Sequence, residues 1–141
     1  KVLGIKLILI PILIVVGTLF GTFLASLFLN MVAKEALAVG AGFGWYSLSA
    51  VIITKIHSVE LGSIAFLTNV FRELMTIISL PFIVRYLGKI PSIGPGGATA
   101  MDVTLPLIKK AAGEETAVPA FISGVVLSTL VPILVPFILS F

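Results

Sequence analysis

The 141-residue sequence contains no cysteine and a single histidine, and only 11% of its residues are charged. The missing cysteines exclude a disulfide framework, a Cys-ligated zinc or iron–sulfur centre and a thiol nucleophile. One histidine excludes a multi-His metal site. Soluble domains carry about 25% charged residues, so this scarcity, with 59% apolar residues and a mean hydropathy of +1.26, rules out a soluble globule. A disordered tail and a nucleic-acid-binding domain fall with it. The net charge of +3 comes from nine Lys and Arg, which sit mainly between apolar runs, where loops facing lipid headgroups lie. No HExxH, GxSxG or GxxxxGKS pattern occurs, so no enzyme activity, cofactor or metal is expected. Ser47, Asp102 and Glu73 are the only raw material for an intramembrane hydrolase.

What the sequence does have is long apolar runs, and the fold they predict is an all-α integral membrane protein forming a single membrane domain over residues 1–141. The first run, 7–29, is about 23 residues long, enough to cross with some tilt, and too long for a signal-peptide core. Lys1 and Lys6 flank its start, and Pro11, Gly17 and Gly21 lie within it, where a membrane helix tolerates them for kinks and close packing. The second run, 37–56, is interrupted by GAGFGWYS and reads as a broken or re-entrant segment. The third, 61–84, carries Arg72 and Glu73 near its middle. The stretch IPSIGPGGATAMDVTLPLIKKAAGEE is too rich in glycine and proline for a regular span, and 117–141 is a further crossing with Pro119, Pro132 and Pro136.

The chain also matches itself at an offset of about 55 residues, the kind of signal that precedes any fold assignment. Gly42 meets Gly97, Lys55 meets Lys110, Glu60 meets Glu115, and Pro81-Phe82-Ile83 meets Pro136-Phe137-Ile138. Repeat units of about 40–86 and 95–141, preceded by the spanning helix 7–29, are therefore expected. If each broken segment re-enters, the copies are inverted; if it spans, they are parallel. Broken segments at corresponding positions of two repeats point to a transporter's binding site, here where GAGFGWYS and GPGGATAMD approach each other.

Within the third run, Asn69, Arg72, Thr76 and Ser79 recur at spacings of three and four, forming one polar stripe with Glu73 on its flank. Adjacent helical residues point about 100° apart, so Arg72 and Glu73 need separate partners. A charge at the bilayer centre costs about 2.5–3.5 kcal/mol on insertion scales. Such residues face a cavity or a counter-charge, so either a structural ion pair or substrate and proton handling accounts for them. Asp102 lies where a half-helix through Met101, Thr104 and Leu107 is expected to begin after Gly97. That turn would hold a carboxylate on free N–H groups of Gly96, Gly97 and Ala98, while Asp102 meets a cation or proton, unless it merely caps the turn. Tyr46, Ser47 and Ser49 follow the other break and offer neutral hydrogen bonds or simple helix packing. His57 reads as a solvated loop residue, with proton sensing as the alternative, and Trp45 and Tyr86 as interface anchors.

At GFGWYSLS, NVFRELMTIISLP and GPGGATAMDVTLPLIKK the sequence resembles the LysO-type lysine exporters, from about Gly40 to the C-terminus. The resemblance implies an inner-membrane protein that exports L-lysine or its analogues, in exchange for protons. It directs attention to Asp102 in GATAMDVTLP and to the Arg72–Glu73 pair. Bacterial members are about twice as long, with further N-terminal helices and another intramembrane acid. The expectation is thus a fragment, or one subunit of a homodimer or of a heteromer with a chain supplying those helices. Broken spans alone bury too little to shield a charged site from lipid.

Lysine carries one positive charge, and moving it out against an inside-negative potential costs about 2.3 kcal/mol per 100 mV. Channel-like leakage would run inward unless the internal concentration were high, so active export needs a coupled ion. A carboxylate suits the task because burial favours its protonated form and a nearby cation its ionised form. Asp102 is expected to bind the ammonium or the proton, with Glu73 as partner, and Arg72 with the glycine N–H groups to bind the α-carboxylate. A non-transporting membrane subunit that assembles with a partner chain is the alternative, and transport of another small cation a third reading.

Overall fold

The computed structural model describes residues 2–141. Lys1, expected at the start of the first span, lies outside the described residues. Among the described residues seven helices follow in order: α1 (Val2–Leu29), α2 (Ala33–Gly40), α3 (Tyr46–Ile56), α4 (Val59–Leu87), α5 (Ile93–Gly96), α6 (Leu105–Ala112) and α7 (Ala117–Leu139), with short 3₁₀ turns at Gly97–Met101 and Glu114–Thr116. There is no strand among the described residues. Three helices, within 4–29, 59–87 and 114–139, are long and apolar enough to cross a membrane. The chain is an all-α, multi-pass membrane protein.

The boundaries follow local chemistry. Ser58 caps α4 by accepting a hydrogen bond from the Leu61 N–H at 3.1 Å, with Glu60 in the first turn and Arg85 in the last to suit the helix dipole. Gly88, at φ 101°, ends that helix. The second apolar run is not one helix. It folds into the helical hairpin α2–α3, whose ends lie together where His57 Nε2 meets Glu35 Oε1 at 2.8 Å. His57, expected in a solvated loop, is thus tied to the foot of α2. At the tip, Phe43 adopts φ 46° and Gly44 φ 97°.

The polar stretch forms a second hairpin, α5 to α6, and here the half-helix expected to run from Gly97 through Leu107 is absent. Gly97 takes φ 57°, the Thr99 carbonyl accepts from the N–H groups of both Asp102 and Thr104 at 3.0 Å, and the helix restarts only at Leu105. Pro106 in its first turn favours that start, since its missing N–H has no partner to lose there. The feet of this hairpin meet where Lys89 pairs with Glu115.

Two apolar cores pin these pieces. One joins Phe43, Ile53, Ala65, Ala98, Leu127 and Val131; the other joins Ile10, Leu80, Ile93, Ile108 and Ala120. α4 and α7 run in opposite directions, since Leu61 and Leu139 share the first core while Leu80 and Ala120 share the second. Gly17 and Gly21 of α1, expected to serve close packing, are exposed, a Cβ at either would meet nothing, and Gly17 borders the groove beside α1.

Candidate functional site

The two hairpin tips meet halfway along α4. The Ala98 N–H donates to the Phe43 carbonyl at 2.8 Å, and a Cβ on Gly97 would run into that same carbonyl, so the tips touch only because residue 97 has no side chain. Breaks of this kind leave peptide groups with no helical partner, and lipid offers none. The stripe on α4 supplies them. Asn69, fully buried, accepts from the Gly44 N–H at 2.8 Å through Oδ1, while its Nδ2 donates to the Ala65 carbonyl at 2.8 Å and lies 3.3 Å from the Val39 carbonyl. Arg72 donates from Nε to the Pro95 carbonyl at 3.2 Å and from Nη2 to the Gly94 carbonyl at 3.3 Å, with Thr18 Oγ1 at 3.4 Å from Nη1. The Thr76 hydroxyl lies 2.9 Å from the Pro95 carbonyl.

This arrangement departs from the expected one for several residues. Asn69 and Thr76 face backbone rather than an open site, and Arg72 is held by backbone carbonyls at the edge of a separate groove. Ser49 packs 3.5 Å from Asn69 Nδ2, and Thr104 is buried against Thr99, their hydroxyls 3.3 Å apart. Of the N–H groups expected to bind an anion, that of Ala98 is engaged by Phe43 and that of Gly97 by the Gly94 carbonyl. Two of the three donors of the expected cradle of Gly96, Gly97 and Ala98 are therefore already engaged. The Ala98 donor joins the two tips, and the Gly97 donor closes its own turn.

Beside the meeting point is a cavity of about 180 Å³ lined by Trp45, Tyr46, Ser47, Glu73, Thr99, Met101, Asp102 and Ser128, together with Gly44, Ala98 and Val103. One probe sphere, about 10–15 Å³, suffices for a water, so the space holds a small polar group with its hydration. Glu73 and Asp102 both reach it, and its lining contains no Lys or Arg. Asp102 accepts from the Val103 N–H at 2.6 Å and is otherwise exposed. Glu73 is half-buried, and its Oε2 is out of contact with solvent and has no hydrogen-bond partner. A buried, unpartnered carboxylate oxygen is costly and asks for a donor.

Of the expected side chains, Asp102, Glu73 and Ser47 come together at this cavity. Arg72 instead borders a separate groove of about 550 Å³ against α1. Trp45 lines the cavity instead of serving only as an interface anchor. Sequence reasoning named the break GPGGATAMD without singling out Thr99 or Met101 within it as a site residue, and it missed Ser128. Thr99 and Met101 lie in the second break, which was a usable signal; Ser128, inside an apolar helix, carried none.

The family model described as "Lysine exporter LysO" matches residues 1–139. The chain belongs to the LysO lysine exporter family. This LysO-family chain is 37% identical over 128 residues to "Lysine exporter LysO" of Escherichia coli (strain K12), a match covering 91% of the chain and 42% of that protein. It is 38% identical over 125 residues to the "Putative lysine exporter" of Haemophilus influenzae (strain ATCC 51907 / DSM 11121 / KW20 / Rd), covering 89% and 64%. The chain thus spans less than two thirds of the length of these relatives. No solved structure matches it.

Proposed function

We propose that this chain carries the cation-handling part of an inner-membrane secondary transporter that exports L-lysine or a similar cationic amino acid in exchange for protons. The observation that carries the reading is the cavity where Glu73, with an unpartnered buried oxygen, faces Asp102 and no cation. Two carboxylates sharing a site repel, so one proton or one ammonium relieves both. Lysine's side-chain ammonium and the coupling proton compete for the same place, which is the essence of antiport. Ser47 and Thr99 offer neutral hydrogen bonds to the cargo.

Arg72 acts through the hairpin tips rather than on the cargo. In the membrane, the two hairpins re-enter from opposite faces and meet near the midplane. The helices α2 and α3 rise about 12 and 16 Å, close to half of the ~30 Å core. Units 40–86 and 95–141 are then inverted copies, supported by the repeated order of break, short helix and long helix and by the opposed directions of α4 and α7.

The test is efflux of labelled lysine from proteoliposomes, with and without an imposed pH gradient, comparing wild type with Asp102→Asn and Glu73→Gln. Gradient-stimulated efflux lost in both variants is the expected result; efflux unchanged by either substitution would overturn the site. The second reading, a subunit that only assembles with a partner chain, draws on the open space beside α1 at Gly17 and Gly21. It predicts no efflux from well-folded wild type alone, with crosslinking in membranes to a second copy or to another polypeptide supplying N-terminal helices.

A further inference from the structure

Away from the cavity, α4 and α6 leave between them an apolar groove of about 450 Å³, floored by Ile77, Leu80, Pro81 and Leu107. At its mouth stand Arg85, in the last turn of α4, and Lys110, in the last turn of α6. Their neighbours are neutralised: Lys89 pairs with Glu115, and Lys109 with Glu114 at 2.9 Å. Arg85 and Lys110 are exposed and make no ion pair among the described residues. Arg85 lies over the Tyr86 ring, 5.6 Å from its centroid, a cation–π contact with a residue type enriched at headgroup level.

We propose that this groove holds one acyl chain of an anionic phospholipid, whose phosphate sits between Arg85 and Lys110. The apolar floor and the paired cations are needed together. A free phosphate gains nothing from the floor, and an apolar helix gains nothing from two unpaired cations at one end. The position fits as well. Lys6, Arg85, Lys89, Lys109 and Lys110 lie at this end of the bundle, against Lys34 and Lys55 at the other. Such a bias marks the cytoplasmic side, where basic pockets between spanning helices recruit anionic headgroups.

The experiment is native mass spectrometry of the full chain released from nanodiscs containing equal amounts of phosphatidylglycerol and phosphatidylcholine. Wild type is expected to retain one phosphatidylglycerol in preference. A basic residue near an anionic surface is worth about fivefold in binding, so Arg85→Gln with Lys110→Gln lowers retention roughly 30-fold. Ala111→Phe, which fills the groove and leaves both cations, is expected to lower it too, whereas Lys109→Gln is not. Glycerophosphate, a headgroup without chains, is expected not to displace the lipid. Equal retention of the two lipids, unchanged retention in the double variant, displacement by glycerophosphate, or a second copy crosslinked through Arg85 would each overturn the proposal.

Discussion

Arg72 and Glu73 are neighbours on one membrane helix, yet the regions they face have opposite character. On the Arg72 side, the polar groups of the stripe are matched chiefly to backbone: Asn69 to Gly44, Arg72 to Gly94 and Pro95 with Thr18 Oγ1 beside it, Thr76 to Pro95, and Ser79 to the Thr76 carbonyl of its own helix. On the Glu73 side, a carboxylate oxygen is left without a donor beside a cavity. The cation is turned to carbonyl oxygens, which carry partial negative charge, and away from the place where a cationic cargo would enter. A guanidinium in the cavity would repel lysine; behind the hairpin tips it fixes them and leaves the cavity acidic. On the proposed reading, two adjacent intramembrane charges divide the work between architecture and cargo.

The sharpest way to break that division is to neutralise each charge in turn. Glu73→Gln is expected to reduce lysine efflux at least about 30-fold, the effect of removing one member of a desolvated charge pair, with the thermal midpoint in detergent little changed. Arg72→Gln is expected to do the reverse in order of cause. It loses charged hydrogen bonds worth about 1.5–3 kcal/mol each, so the midpoint falls first and flux fails because the tips separate. A stable Arg72→Gln protein with no flux would place Arg72 at the cargo after all.

A second contrast tests the meeting of the tips. Gly97 and Gly44 both have positive φ, but only at Gly97 would a Cβ strike backbone, the Phe43 carbonyl; at Gly44 the nearest atom would be 3.6 Å away. Gly97→Ala is therefore expected to cost the larger share of the about 1–3 kcal/mol typical of strained backbone, and Gly44→Ala about 1 kcal/mol. Thermal melts of the two variants check the ranking, and equal losses would argue against the tip contact. Smaller still, Thr76→Val loses one neutral hydrogen bond, about 1 kcal/mol, visible as a modest fall in midpoint with efflux retained. Ser47→Ala, at the exposed edge of the cavity, is expected to raise the half-saturating lysine concentration about fivefold and leave stability unchanged.

Much of the fold was legible. The spans show in run length, and both breaks show as glycine clusters that no lipid-facing helix would carry. The separation of Arg72 from Glu73 follows from helical geometry, and it holds: they face different regions. The roles within the stripe were not legible. A polar stripe reads the same whether its partners are a cargo or backbone carbonyls, because carbonyls leave no mark in a list of side chains. The anion cradle failed for the same reason, since the donors of Gly97 and Ala98 depend on which acceptor the chain brings near them. Trp45 and Ser128 could not be assigned to the cavity because their placement depends on how the second hairpin lies against α7.

By itself, then, the sequence determined the solvent this chain folds in, where it spans, where it breaks and which face of α4 is polar. These are local properties, set by composition and by the 3.6-residue period. Only the tertiary structure decided that the two breaks meet at Phe43 and Ala98, that Arg72 is engaged there, and that Glu73 and Asp102 share one cavity. Those facts join residues far apart in the chain, and they depend on unpaired peptide groups finding partners wherever the fold brings them within hydrogen-bonding reach.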